Sequence, residues 1–168
     1  MQTSHNLPTA VAYTIVPIHA AFLENTRQRD LDDLAQPVEH HVASGGEPCR
    51  DVLRRASPGE HILLASYSPF ALASPYKEFG PIFVMAHADA QQPKAMPTSL
   101  ADLAQRGYLG EQFVLRAYSS AERIVDGVVV TRAQAEDTLQ AMLRRDDVQF
   151  VLVRFAGYGC YACRVERA

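Results

Sequence analysis

Lysine is almost missing from this 168-residue chain: Lys77 and Lys94 stand against fourteen arginines. Acidic residues still outnumber basic ones, nineteen to sixteen, for a formal net charge of −3. That excludes the one-sided basic excess of a nucleic-acid-binding domain. Cysteine is scarce as well. Cys49, Cys160 and Cys163 form an odd, low count, unlike the paired framework of a small secreted protein. No run reaches the roughly 18 uninterrupted apolar residues of a spanning helix. Leu7 to Leu23 comes nearest, but Pro8, Pro17 and His19 interrupt it. No Lys or Arg precedes Leu7, so the charged start of a secretory signal is missing. The expectation is a cytoplasmic protein with neither a nucleic-acid nor a membrane partner. Internal repeats, low-complexity tracts and the motifs HExxH, GxxxxGK(S/T) and GxSxG are absent too, so no cofactor is implied.

What is present describes an ordinary folded domain. The chain is 48% hydrophobic and 21% charged, which excludes bulk disorder. Its length suits one domain, here residues 1–168, with a core that needs no disulfide or metal. Tyr13 to Ile18 reads as a strand. His19 to Gln36 reads as helix in two pieces, with Asn25 or Thr26 as the cap between them and Pro37 as the stop. Ser44 to Pro48 is a loop that delivers the chain to Cys49 and Arg50. Pro58-Gly59 turns into a buried strand, His61 to Tyr67, and Pro69 to Pro75 is irregular. Gly80-Pro81 is a break before a strand from Ile82 to Ala88, and Ala90 to Pro97 is a loop.

The C-terminal half has stronger signals. Thr98 or Ser99 caps a helix over Leu100–Arg106 that Gly107 ends. Gln112–Tyr118 and Arg123–Val130 form a hairpin. Thr131 and Gln134 make a capping box, and Ala135, Leu139, Met142 and Leu143 line one face of the helix it opens. Val148–Phe155 is apolar on both faces up to Arg154, as in a central strand, and Tyr161–Val165 closes the chain after the Gly157–Gly159 turn. Strands outnumber helices and most of their connections are short, which predicts an α+β fold: a mainly antiparallel sheet with a few helices packed on it.

Three groups of residues bear on chemistry. Cys160-Tyr-Ala-Cys163 is formally a CxxC, but too few residues follow for the helix that activates a redox motif. In a regular strand its two sulfurs would face opposite ways, so it holds no zinc. Strict alternation would put Cys160 beside Arg164, while Cys49 adjoins Arg50. Cys49 and Cys160 are therefore the candidate nucleophiles. Arg116 and Arg154 lie in strands, where a guanidinium needs an anionic partner, from this chain or from a ligand. Tyr76 sits in an aromatic loop that could wall a pocket. The six histidines are scattered. His40 and His41 would point opposite ways, and His61 and His87 read as core residues. No metal ligand set is assigned.

Several short segments stand in a familiar order: Pro48-Cys49-Arg50, Gly59-Glu60, Ser74-Pro75-Tyr76, Ile82-Phe83-Val84, and Gly159 to Ala162 with Arg164 to Arg167. Together they resemble the bacterial domain of unknown function 1203 family over residues 48–168, leaving 1–47 as an N-terminal strand–helix segment. The resemblance implies a small bacterial protein and supplies no catalytic residue. Cys163 stands where the family often has Ala, and Leu152 and Arg154 where some members have His, which removes support for a CxxC or a metal site.

Three readings follow. In the first, a pocket takes a small anionic molecule through Arg116, Arg154 and Arg164, with Tyr76 as a wall and Cys49 or Cys160 as nucleophile if chemistry occurs. In the second, the protein is a non-catalytic interaction module or homodimer whose arginines form internal salt bridges. In the third, Cys49, Cys160 and Cys163 make a thiol or metal protein.

Overall fold

The computed structural model describes residues 9–88 and 96–168. Leu7, Pro8 and positions 90–95 of the expected Ala90–Pro97 loop lie outside the described residues. The fold is α+β, with two five-stranded sheets and three helices. The first sheet contains β1 (Tyr13–Val16), β7 (Gln112–Tyr118), β8 (Ile124–Thr131), β9 (Phe150–Phe155) and β10 (Tyr161–Arg167). Its order is β1-β10-β9-β7-β8, and each adjacent pair is antiparallel. The second contains β2 (Glu39–Val42), β3 (Pro48–Cys49), β4 (Arg54–Arg55), β5 (His61–Tyr67) and β6 (Gly80–Met85). Its order is β2-β5-β6-β3-β4, antiparallel except where Cys49 meets Phe83 in parallel. The helices are α1 (Ala20–Gln28), α2 (Leu100–Gln105) and α3 (Arg132–Leu143). No described helix is long and apolar enough to cross a membrane.

Alternation along the strands builds the layers. Phe113, Leu115, Val151, Val153 and Val165 form one core with Leu103 of α2 and Leu139 and Leu143 of α3. Tyr118, Phe150, Leu152 and Tyr161 point into a second core with Leu63, Ala65, Tyr67, Ile82 and Val84 of the other sheet and Phe22 of α1. β9 therefore feeds two cores at once, the reason for its continuous apolar run. The local signals work as expected at both C-terminal helices. The Ser99 hydroxyl accepts the Asp102 amide at 3.1 Å, and Gln134 Oε1 accepts the Thr131 amide at 3.2 Å.

The structure corrects several expectations. The α+β, mainly antiparallel class itself is as expected, with the strands divided between two sheets, and the corrections are local. Helix α1 runs through Asn25 and Thr26 and stops at Gln28, and the expected second piece is a loop. Asp30 and Ala35 there adopt φ of 54° and 57°, outside any helix. The Asp32 carboxylate collects the amides of Leu34, Gln36 and Ser66, tying the loop to β5 and offering the backbone an alternative to helix. Gly80-Pro81 belongs to β6, because Pro81 lies beyond the single β3 contact at Phe83, where no amide is needed on that side. The polar strand β2 carried no apolar alternation to announce it. His61 and His87 are exposed, not core.

Candidate functional site

A cavity of about 550 Å³ opens where the 44–48 loop, β6 and the β9–β10 turn meet. Gly45 and Gly46 take φ of 108° and 95°, and a Cβ on Gly45 would lie 2.9 Å from the Pro58 ring. The Glu47 carboxylate accepts the Ser44 and Gly45 amides at 2.8 and 2.9 Å, which fixes the loop. Its own amide, then those of Ser44 and Gly45, hold this carboxyl below its usual range. Leu64, Phe83 and Phe155 supply the apolar wall.

Two guanidinium groups face this wall. Arg50 is only 4% exposed, and donates from Nε to the Tyr161 carbonyl at 2.9 Å and from Nη1 to the Pro48 carbonyl. Arg55 donates to the carbonyls of Gly46, Gly107 and Tyr108. Their charges lie 5.2 and 5.7 Å from the centre of the Phe155 ring, within reach of its negative face. Neither forms an ion pair with a carboxylate among the described residues. Burial lowers the pKa of Arg50, the cost of holding a cation away from water without a counter-ion.

A second cavity of about 190 Å³ adjoins the first, with Cys160 and Tyr158 lining both. Arg154 lies on its wall, 6% exposed. Its Nη2 meets Glu78, its Nη1 donates to the Gly159 carbonyl at 3.0 Å, and its Nε is buried without a hydrogen-bond partner. Arg116 Nη1 stands 3.9 Å from the same Glu78 oxygen. The partner that both strand arginines require is thus one carboxylate of this chain.

The other expected site residues are dispersed. Arg164 pairs with Glu166 at 2.6 Å, donates to the Pro69 carbonyl and lies 3.6 Å over the Phe150 ring. Tyr76 lies under Arg123 and lines neither cavity. Cys49 is fully buried at the parallel β3–β6 contact, and burial pushes its pKa up to about 12. Cys163 is buried in the first core with its pKa likewise raised to about 12. The expected pairing of Cys160 with Arg164 fails because β10 carries an irregularity between Tyr161 and Cys163. Tyr161 turns into the second core while Ala162, Cys163 and Val165 turn into the first, so strict alternation does not apply. Cys160 instead shares one cavity wall with Arg50 and another with Arg154.

Arg50 was visible in the Pro48-Cys49-Arg50 segment, but only as a neighbour of Cys49. Nothing in the spacing separates Arg55 from Arg54, which Glu60 holds in a two-pronged ion pair. Among the described residues, no group of three or more His, Cys, Asp or Glu is placed to hold a metal ion. The arrangement is a partly apolar cavity with two cations lacking carboxylate partners and one thiol at its seam.

An α+β protein with a cationic, thiol-bearing cleft is the class that fold and site define. Residues 46–167 match the family described as protein of unknown function (DUF1203), and the chain belongs to that family. No curated protein and no solved structure matches it.

Proposed function

We propose that the larger cavity binds a small organic anion, with Arg50 and Arg55 taking the charge and Phe83, Phe155 and Leu64 the apolar body. The observation that carries this reading is Arg50: a guanidinium removed from water, on a cavity wall, with no carboxylate of the described chain to neutralise it. Buried charges are paired as a rule, and an anionic ligand supplies the missing partner. The role expected of Arg116 and Arg154 passes to these two residues. The reading includes a cytoplasmic setting, supported by three cysteines that form no disulfide.

The reading is tested by calorimetric titration of the full chain with benzoate and phenyl phosphate, and with uncharged benzamide. The anions bind saturably and benzamide does not. Arg55→Gln weakens anion binding roughly tenfold, the scale of one charge-assisted hydrogen bond. Equal binding of benzoate and benzamide overturns the proposal.

The second reading, an interaction module, draws support from the internal ion pairs. Glu78 answers Arg154 and Arg116, and Glu166 answers Arg164. Those three arginines need no ligand to explain them. Arg50, buried without a carboxylate among the described residues, does, and the ligand reading is therefore preferred.

A further inference from the structure

We infer that Cys160 is a thiol–disulfide exchange site for low-molecular-weight disulfides that carry carboxylates. This rests on the anion reading of the larger cavity and adds a covalent step to it. Three observations carry it. First, Cys160 is half-buried and lines both cavities, whereas Cys49 and Cys163 are 0% and 1% exposed and line neither. Second, each flanking cavity has a nearly buried guanidinium on its wall: Arg50, with no carboxylate partner among the described residues, and Arg154, paired with Glu78. Arg50 spends Nε and Nη1 on carbonyls and has no described partner for Nη2, and Arg154 Nε is buried with none. Arg50 and Arg55, which no carboxylate of the described residues neutralises, attract a carboxylate-bearing disulfide and hold it beside the sulfur. Third, Cys160 follows the Gly157-Tyr158-Gly159 turn, and its Sγ donates to the Tyr158 carbonyl at 3.8 Å in an exposed setting, so solvent reaches the thiol from the turn side.

The exchange balances without a further reagent. The Cys160 thiol gives its proton to water, and its thiolate Sγ attacks the nearer sulfur of the disulfide. A new S–S bond forms as the old one breaks. The distal half leaves as a thiolate and takes a proton from water, so that Cys160 is oxidised and the small disulfide is reduced. Cys163, three residues on, is packed into the first core, and Cys49 is sealed at the β3–β6 contact. No second cysteine of this chain can displace the adduct, so with the small disulfide in excess it accumulates as a mixed disulfide.

The test uses the full chain at about pH 8 and low salt, with glutathione disulfide (anionic), hydroxyethyl disulfide (neutral) or cystamine (cationic), followed by intact mass and peptide mapping. Each rate is divided by that of the uncharged thiol 2-mercaptoethanol with the same reagent. The expected result is one adduct, on Cys160, with glutathione disulfide favoured over the neutral reagent about tenfold or more, and cystamine disfavoured. Added salt and Arg55→Gln both lower that preference, and Cys160→Ser abolishes the adduct. Modification of Cys49 or Cys163 instead, or equal normalised rates for the three reagents, overturns the inference. Phenyl phosphate titration of Cys160→Ser separates the two proposals. If binding is retained while the charge preference is missing, only the exchange inference fails. Loss of both overturns the exchange inference and the anion reading together.

Discussion

Arg50 and Tyr161, distant in sequence, are joined by a 2.9 Å hydrogen bond from the guanidinium Nε to the tyrosine carbonyl. The bond links the end of β3 in the second sheet to the start of β10 in the first. It holds the carbonyl side of Tyr161 where the β10 irregularity leaves it, and brings the Cys160 segment against the larger cavity. Arg50→Met keeps the volume but strands the Tyr161 and Pro48 carbonyls. The expected loss is about 1–3 kcal/mol in urea unfolding, the cost of leaving buried acceptors without a donor. Arg50→Lys recovers only part of it, because one ammonium lacks the fork that spans both carbonyls. Equal stability of wild type and Arg50→Met would contradict the assignment.

Glu60 gives the clearest pH dependence. Its two oxygens accept Arg54 Nη1 and Nη2, each at 2.7 Å, and Oε2 also accepts the Ser57 amide at 2.7 Å. The Arg54 hydrogen bonds first, then the Ser57 amide, hold its carboxyl below the usual range. Such a group binds fewer protons folded than unfolded. The stability it contributes is full above the unfolded value of about 4.3 and is lost as pH falls through the lower folded value. Glu60→Gln therefore costs about 1 kcal/mol near neutrality. The gap between variant and wild type closes as urea midpoints are followed into acid, and a gap constant with pH would refute the linkage.

The three thiols should separate cleanly. Burial raises Cys49 and Cys163 to about 12, and both are shut off from solvent, so neither supplies reactive thiolate in the folded protein. Brief treatment with the uncharged reagent iodoacetamide should alkylate Cys160 alone. All three cysteines react once the chain is unfolded in urea. Peptide mapping checks this directly, and native labelling of Cys163 at the rate of Cys160 would mean that β10 opens locally.

The elements that could be read from sequence are those whose signal is local. The Thr131–Gln134 box and the Ala135, Leu139, Met142, Leu143 face identify α3 without any tertiary information, and the apolar heart of His61–Tyr67 does the same for β5. The misread elements depend on distant partners. Residues 31–37 have helical composition, but the Asp32 carboxylate bonds to Ser66 of β5, a contact that no local pattern announces. The irregularity after Tyr161 shifts alternation within β10, and a single residue of shift was enough to misassign the neighbours of Cys160. The need of Arg116 and Arg154 for an anion was readable from their strand positions. That Glu78 meets it, in a loop far away in sequence, was not.

Glu78 is itself the handle for the last prediction. One of its oxygens meets Arg154 and stands 3.9 Å from Arg116, so it occupies the place a ligand anion would take beside the smaller cavity. Glu78 is partly exposed whereas Arg154 is nearly buried. Glu78→Gln keeps the shape but withdraws the charge, leaving two guanidinium groups without their carboxylate. Removing one partner of such a pair exposes an uncompensated cation, which a free anion can neutralise. The variant is therefore expected to lose stability in plain buffer and to regain it with added inorganic phosphate, by mass action on the folded state. Thermal unfolding of wild type and variant across a phosphate series reads this as a larger upward shift for Glu78→Gln. Potassium chloride at matched ionic strength separates binding from screening. If the two proteins respond alike to phosphate, Glu78 is not holding an anion's place.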